Sequence, residues 1–208
     1  MDKKIEQESV LAVKGKDEAN FFKALLEFLN ISNVQIIDVG GKDSFKNKLS
    51  GYIQTDGALV KIKRIGFVRD AEKLEAELAF HSICTILQQY ALPCPKELCK
   101  PIEQDGKRVS IFIMPNNNSC GMLEDLCIDS IKDAEIFTCI EHFIKCYIDK
   151  IEQDKFNTAK ATILAYLSTR TPIVNSMGVA ALQNVWDFTN PCFDETKRFL
   201  KELFEASS

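Results

Sequence analysis

The feature that most constrains this chain is an alternation. Short apolar runs at Ser9–Val13, Asn33–Val39, Lys61–Val68 and Val109–Met114 are separated by stretches of helical spacing. Short apolar runs bounded by turn residues read as buried strands. Between them, Glu18–Asn30 sets Phe22, Leu25, Leu26 and Leu29 on one stripe. Lys73–Tyr90 likewise sets Ala79, Ile83, Ile86, Leu87 and Tyr90 on one face. A further helix is expected over Asp43–Tyr52, after the break at Gly40-Gly41. Strands that alternate with helices predict a parallel sheet covered on both faces. The expected class is therefore α/β, with a mostly parallel sheet of about four strands flanked by helices.

After residue 130 the pattern turns all-helical. Helices are expected over Ala134–Ile151, Asn157–Leu167, the short stretch Pro172–Asn184, and Asp194–Glu205. The last is amphipathic through Phe199, Leu200, Leu203 and Phe204. Trp186-Asp187-Phe188 reads as a docking element, because the one Trp and a Phe seldom stand free in water. Residues 96–107 form an excursion turning at Asp105-Gly106. The expected organisation is one compact unit, with a core over residues 1–130 and a helical extension over 131–208 packed on it.

Composition narrows the function classes. A chain of 208 residues supports a sizeable core. Its net charge of −4 gives no overall attraction to nucleic acid and leaves only a local basic patch. The stretch Met1–Glu8 lacks the apolar core of a signal peptide. No window approaches the roughly 18 apolar residues of a membrane helix. A cytoplasmic protein with no membrane partner is expected. The eight cysteines (84, 94, 99, 120, 127, 139, 146 and 192) include no Cys-x-x-Cys pair. They read as buried or incidental thiols rather than zinc ligands. His81 and His142, on separate helices, read as structural or solvated.

Parallel sheets gather the carboxyl ends of their strands along one edge, where ligands collect. Three such ends carry chemistry here. The first supplies Lys14-Gly15-Lys16-Asp17-Glu18, the third Asp70-Ala71-Glu72, and the fourth, after a loop, Glu124-Asp125. In extended chain, Asp70 and Glu72 share one face. Clustered carboxylates suit a hard divalent cation such as Mg2+, with Asp70, Glu72, Glu124 and Asp125 as the candidate ligands. Lys16 is a candidate phosphate contact. The amides of Gly40-Gly41, between a strand and a helix, either bind a phosphate or merely turn the chain tightly. The Gly15-Lys16 pair is not a nucleotide-binding P-loop, since the upstream glycine and the following Ser or Thr are absent.

These motifs, in order, carry a resemblance. Val13-Lys14-Gly15-Lys16-Asp17-Glu18 with Phe21-Phe22, then Ile37 to Lys42, Gly66 to Glu72, Gly121 to Leu126 and Trp186-Asp187-Phe188 resemble a family of uncharacterised prokaryotic proteins with a Toprim-like fold. That fold is Rossmann-like. It is shared with topoisomerases, primases and nucleases of the overcoming-lysogenization-defect type. The resemblance implies a Mg2+ site handling phosphodiester bonds, with a Glu ending the first strand and an Asp-x-Asp ending a later one. It also implies nucleic acid as substrate and, for some members, an ATPase partner encoded elsewhere.

Two departures follow. Glu72 stands for the second Asp and keeps a carboxylate. Lys14 stands where the family has Glu, and reverses the charge. At about 4 Å, unlike charges attract by about 4 kcal/mol at an effective dielectric of about 20. Lys14 is therefore expected to inactivate or impair the site. Two readings stand side by side: a metal-dependent nuclease-type domain with an impaired site, and a non-catalytic module that keeps the fold and binds nucleic acid or a protein partner. A metal on Asp70 and Glu72 favours the first. A Lys14–Asp70 ion pair bridging the pocket favours the second. A small phosphorylated ligand at Gly40-Gly41 ranks third.

Overall fold

The structure, a computed structural model, describes residues 4–41, 44–55, 57–150 and 156–205. Its elements in chain order begin with β1 (Ser9–Val13), α1 (Lys16–Phe28), β2 (Val34–Asp38), α2 (Phe45–Ile53), the single turn α3 (Ala58–Lys61) and β3 (Arg64–Asp70). They continue with α4 (Ala76–Gln89), β4 (Ile102–Gln104), β5 (Lys107–Met114) and α5 (Leu123–Asp129). The remainder is helical: α6 (Glu135–Ile148), α7 (Thr158–Ser168), α8 (Met177–Leu182) and α9 (Asp194–Phe204). The expected α/β class with a helical C-terminal part is observed.

The sheet order is β2-β1-β3-β5-β4. The first four strands in that order run parallel, and β4 is antiparallel to β5. The sheet therefore has five strands rather than about four. The extra one lies in the excursion at 96–107. It is short and polar, and pairs Ile102–Gln104 with the start of β5 across a turn in which Asp105 and Gly106 both take positive φ. Periodicity cannot register so short a strand, whereas hairpin geometry accounts for it.

Side chains alternate across the pleat and divide the core in two. Leu11, Val13, Val68, Phe112 and Met114 face a layer built from α1 and α5 to α9. Val10, Ala12, Ile65, Phe67, Val109, Ile111 and Ile113 face α2 and α4, through Phe45, Leu49, Ile83 and Leu87. Gly66 makes a notch in the first face. A Cβ there would stand 2.6 Å from Leu203 Cδ2 and 3.1 Å from Phe199 Cζ, so α9 lies directly on the strand. Trp186 is buried, stacks on Tyr166 and donates its indole N–H to the Met177 carbonyl at 3.1 Å. It is docked as expected.

Several boundaries move. The expected helix from Lys73 begins at Ala76, because Glu72 adopts φ 58° and Glu75 remains extended. Within Pro172–Asn184 only Met177–Leu182 is helical, capped by the Ser176 hydroxyl accepting the Val179 N–H. The expected helix start at Asp43, the motif residue Lys42 and the expected helix end at Ile151 lie outside the described residues. Cys84 is not a free thiol: it is joined to Cys94, with the Cα atoms 5.4 Å apart, where the chain after α4 turns back through Pro93 and Pro95. No helix among the described residues is long and apolar enough to cross a membrane.

Candidate functional site

The chain leaves β1 towards β2 on one side, while β3 lies on the other. The gap at the carboxyl ends of β1 and β3 is thus the switch point where α/β sheets bind ligands. Lys14 is the residue after β1, and the register Ala12 to Phe67 sets it beside the end of β3. Asp70 is the last residue of β3.

The ammonium of Lys14 lies 2.6 Å from Asp70 Oδ2 and 3.5 Å from Glu72 Oε1. Asp70 is only 4% exposed, and its other oxygen accepts the N–H of Leu123, the first residue of α5, at 3.3 Å. The extended geometry expected through Glu72 stops at Asp70. Glu72 instead exchanges backbone hydrogen bonds with Gly121 at 2.8 and 2.9 Å, which holds its half-exposed side chain over Lys14. Both carboxylates still converge, on a lysine.

Further charges surround the pair. Glu124 is buried, with its carboxylate 4.0 Å from Lys160 Nζ. Burial pushes its carboxyl above the usual range, and the charge of Asp70 adds to this. Glu18, on the first turn of α1, has its carboxyl pushed up to about 7, by burial first and then by Asp70 and Glu124. Burial also raises the Asp70 carboxyl, against the opposing pull of Lys14 and the Leu123 amide. Burial works to lower Lys14, yet Asp70, Glu72 and Glu18 together hold its ammonium above the ordinary lysine range.

Lys14, Lys16, Glu18, Asp70, Glu124 and Lys160 line a cleft of about 630 Å³. Of the candidate residues, Lys14, Lys16, Asp70 and Glu124 come together on this cleft, and Glu72 reaches it through Lys14. Asp125 does not line it. Its Oδ2 accepts the Met122 N–H at 2.8 Å and caps α5. The Gly40 N–H donates to Asp38 Oδ1 at 2.7 Å, and Asp38 is paired with Lys48. Gly41 packs beside the stem of Lys14. The Gly40 amide is thus already taken, and the positive φ of Gly40 serves the turn. Sequence reasoning passed over Glu18 as a site residue. The signal was its place three residues after Gly15, one helical turn from the strand end.

This donor set does not fit a divalent cation. The ammonium of Lys14 stands between the carboxylates that would hold one. Among the described residues no three His, Cys, Asp or Glu side chains are grouped so as to ligate a metal.

Residues 8–205 match a family profile described as "Protein of unknown function (DUF3226)". None of the curated proteins compared with the chain matches it. Among solved structures, the chain is similar to a hypothetical protein from Pyrococcus horikoshii OT3, with a TM-score of 0.62, 16% identity and 95% of each chain covered. It is also similar to the C-terminal region of the OLD protein of Xanthomonas campestris pv. campestris, with a TM-score of 0.48, 14% identity, and 96% and 93% covered. At these identities the Pyrococcus likeness establishes a shared fold and nothing further.

Proposed function

Because this chain belongs to the DUF3226 family, and holds a lysine at the switch point of its sheet, we propose that it is a Toprim-like domain of nucleic-acid-processing type that binds nucleic acid without cutting it. One observation carries the reading: Lys14 Nζ lies 2.6 Å from the buried Asp70 carboxylate. A fixed ammonium there supplies the positive charge that a Toprim-like site would take from Mg2+. It cannot hold a water or hydroxyl for attack on phosphorus as a metal does. Lys16 and Lys160 stand exposed on the cleft and offer contacts to a phosphodiester backbone.

The test pairs the unaltered chain with Lys14→Glu. Mn2+ binding is followed by calorimetry, and cleavage is followed on single- and double-stranded DNA and RNA. The unaltered chain is expected to bind Mn2+ weakly and to cut nothing, while Lys14→Glu gains Mn2+ affinity by about tenfold or more, as removal of a competing charge at this range requires. Lys16→Glu and Lys160→Glu are expected to weaken nucleic-acid binding. Each lost phosphate contact would reduce the salt slope by about one. Metal-dependent cleavage by the unaltered chain, abolished in Asp70→Asn, would overturn the reading.

A further inference from the structure

The outward face of α6 plays no part in the cleft. Its inner side buries Phe137, Ile140 and Ile144. Its outer side carries Cys139, His142 and Cys146, all exposed, together with Phe143 at 62% exposure. Spacings of three and four residues place neighbouring members of this trio side by side on one helix face. These are the residue types that thiophilic metals select.

One helix cannot complete a site from them. At about 1.5 Å rise per residue, Cys139 and Cys146 stand about 10 Å apart along the axis. Zinc–sulfur bonds are about 2.3 Å, so the two thiolates of one helix cannot share an ion. This agrees with the lack of any metal-ready group within the described residues of one chain. Each helix instead offers His142 with one adjacent thiol.

We propose that the outer face of α6 is half of a binding site for a thiophilic divalent cation such as Zn2+, completed by α6 of a second copy of this chain. An antiparallel pair of these helices about a two-fold axis brings Cys139 opposite Cys146 of the second copy. The same register brings Glu135 towards Lys150 of the second copy, which lies in the turn two residues past the end of α6, an unlike-charge pair between exposed residues that occurs twice by symmetry. It also covers Phe143 with His142 of the second copy. Each ion receives Cys139 and His142 from one helix and Cys146 from the other, and water takes the fourth position. Each thiol releases its proton to solvent on binding, and no redox change is involved. The other free cysteines are poorer ligands. Cys99, Cys127 and Cys192 are all pushed up by burial, and Cys120 is far from this helix in sequence.

The experiment uses the full chain handled without oxygen and without added reductant, so that the Cys84–Cys94 disulfide stays intact and the remaining cysteines stay as thiols. Co2+ and Zn2+ are titrated, with absorption and light scattering recorded together. The expected result is a cobalt–thiolate band, one ion bound per chain, and a doubling of mass that a chelator reverses. Cys139→Ser and Cys146→Ser, each checked for fold by circular dichroism, lose both the band and the doubling. Glu135→Lys weakens the metal-driven pairing by about fivefold, in the range of exposed ion pairs, and Lys150→Glu in the same chain restores it. The proposal is overturned by an unchanged mass at saturating metal, by a dimer that persists in chelator and reductant, or by a band that survives loss of both cysteines.

Discussion

At the scale of single residues, the cleft is governed by the unequal burial of two ion-pair partners. Asp70 is 4% exposed and Lys14 is 33% exposed. Removing the lysine leaves a nearly buried carboxylate without its counter-charge, whereas removing the acid leaves an ammonium that can turn outward. Lys14→Met is therefore expected to cost about 3 kcal/mol at pH 8 in urea unfolding, and Asp70→Asn about 1. The loss in Lys14→Met should shrink towards pH 4, because the stranded acid can then be protonated. Glu18 gives a separate signature. Its folded value of about 7 lies above the ordinary value of 4.5, so the folded state binds more protons between those limits. Its contribution is favourable at low pH and is lost as pH rises through 7. Glu18→Gln should thus stabilise the protein at pH 8 by on the order of 2 kcal/mol and leave it nearly unchanged at pH 4. The meeting of Lys14, Asp70 and Glu72 was legible, because strand ends on one sheet edge must converge. The burial of Glu18 was not, since it depends on how the later helices close over the first turn of α1. Nor was the left-handed conformation of Glu72, which a two-residue period cannot express.

At the scale of elements, strands with long apolar runs were readable and polar ones were not. β1 and the body of β5 stand out in sequence because both faces of each are covered. β4 gains its strand character only by pairing with Lys107 and Arg108 across a turn. Helix starts were misplaced where a special backbone residue intervenes, as at Glu72 before α4. The contact of α9 with β3 was half legible: the apolar stripe of α9 is plain, but its landing place at Gly66 is not. Gly66→Ala would drive a methyl group into Leu203, Leu11 and Phe199. The expected cost is about 2–3 kcal/mol, read from the urea midpoint at unchanged slope. Asp125→Ala, which removes a cap rather than a ligand, should cost about 1 kcal/mol and leave Mn2+ affinity of Lys14→Glu unaltered.

At the scale of the whole molecule, the core on the first sheet face is assembled from both ends of the chain. Leu11, Val68 and Phe112 pack in one cluster with Ile163, Ala180, Phe199 and Leu203. A chain cut after residue 130 would leave that face covered by α1 and α5 alone. It should bind a hydrophobic dye and melt without a cooperative transition, as followed by near-ultraviolet circular dichroism. The notch at Gly66 also bears on how fast the fold is reached. More than a hundred residues separate it from the side chains of α9 that fill it. Closing so long a loop costs chain entropy before any contact repays it, and contacts this distant in sequence slow folding. The face of the sheet must therefore wait, wet and adhesive, until the last helix arrives. In that interval neighbouring chains compete with α9 for the same notch.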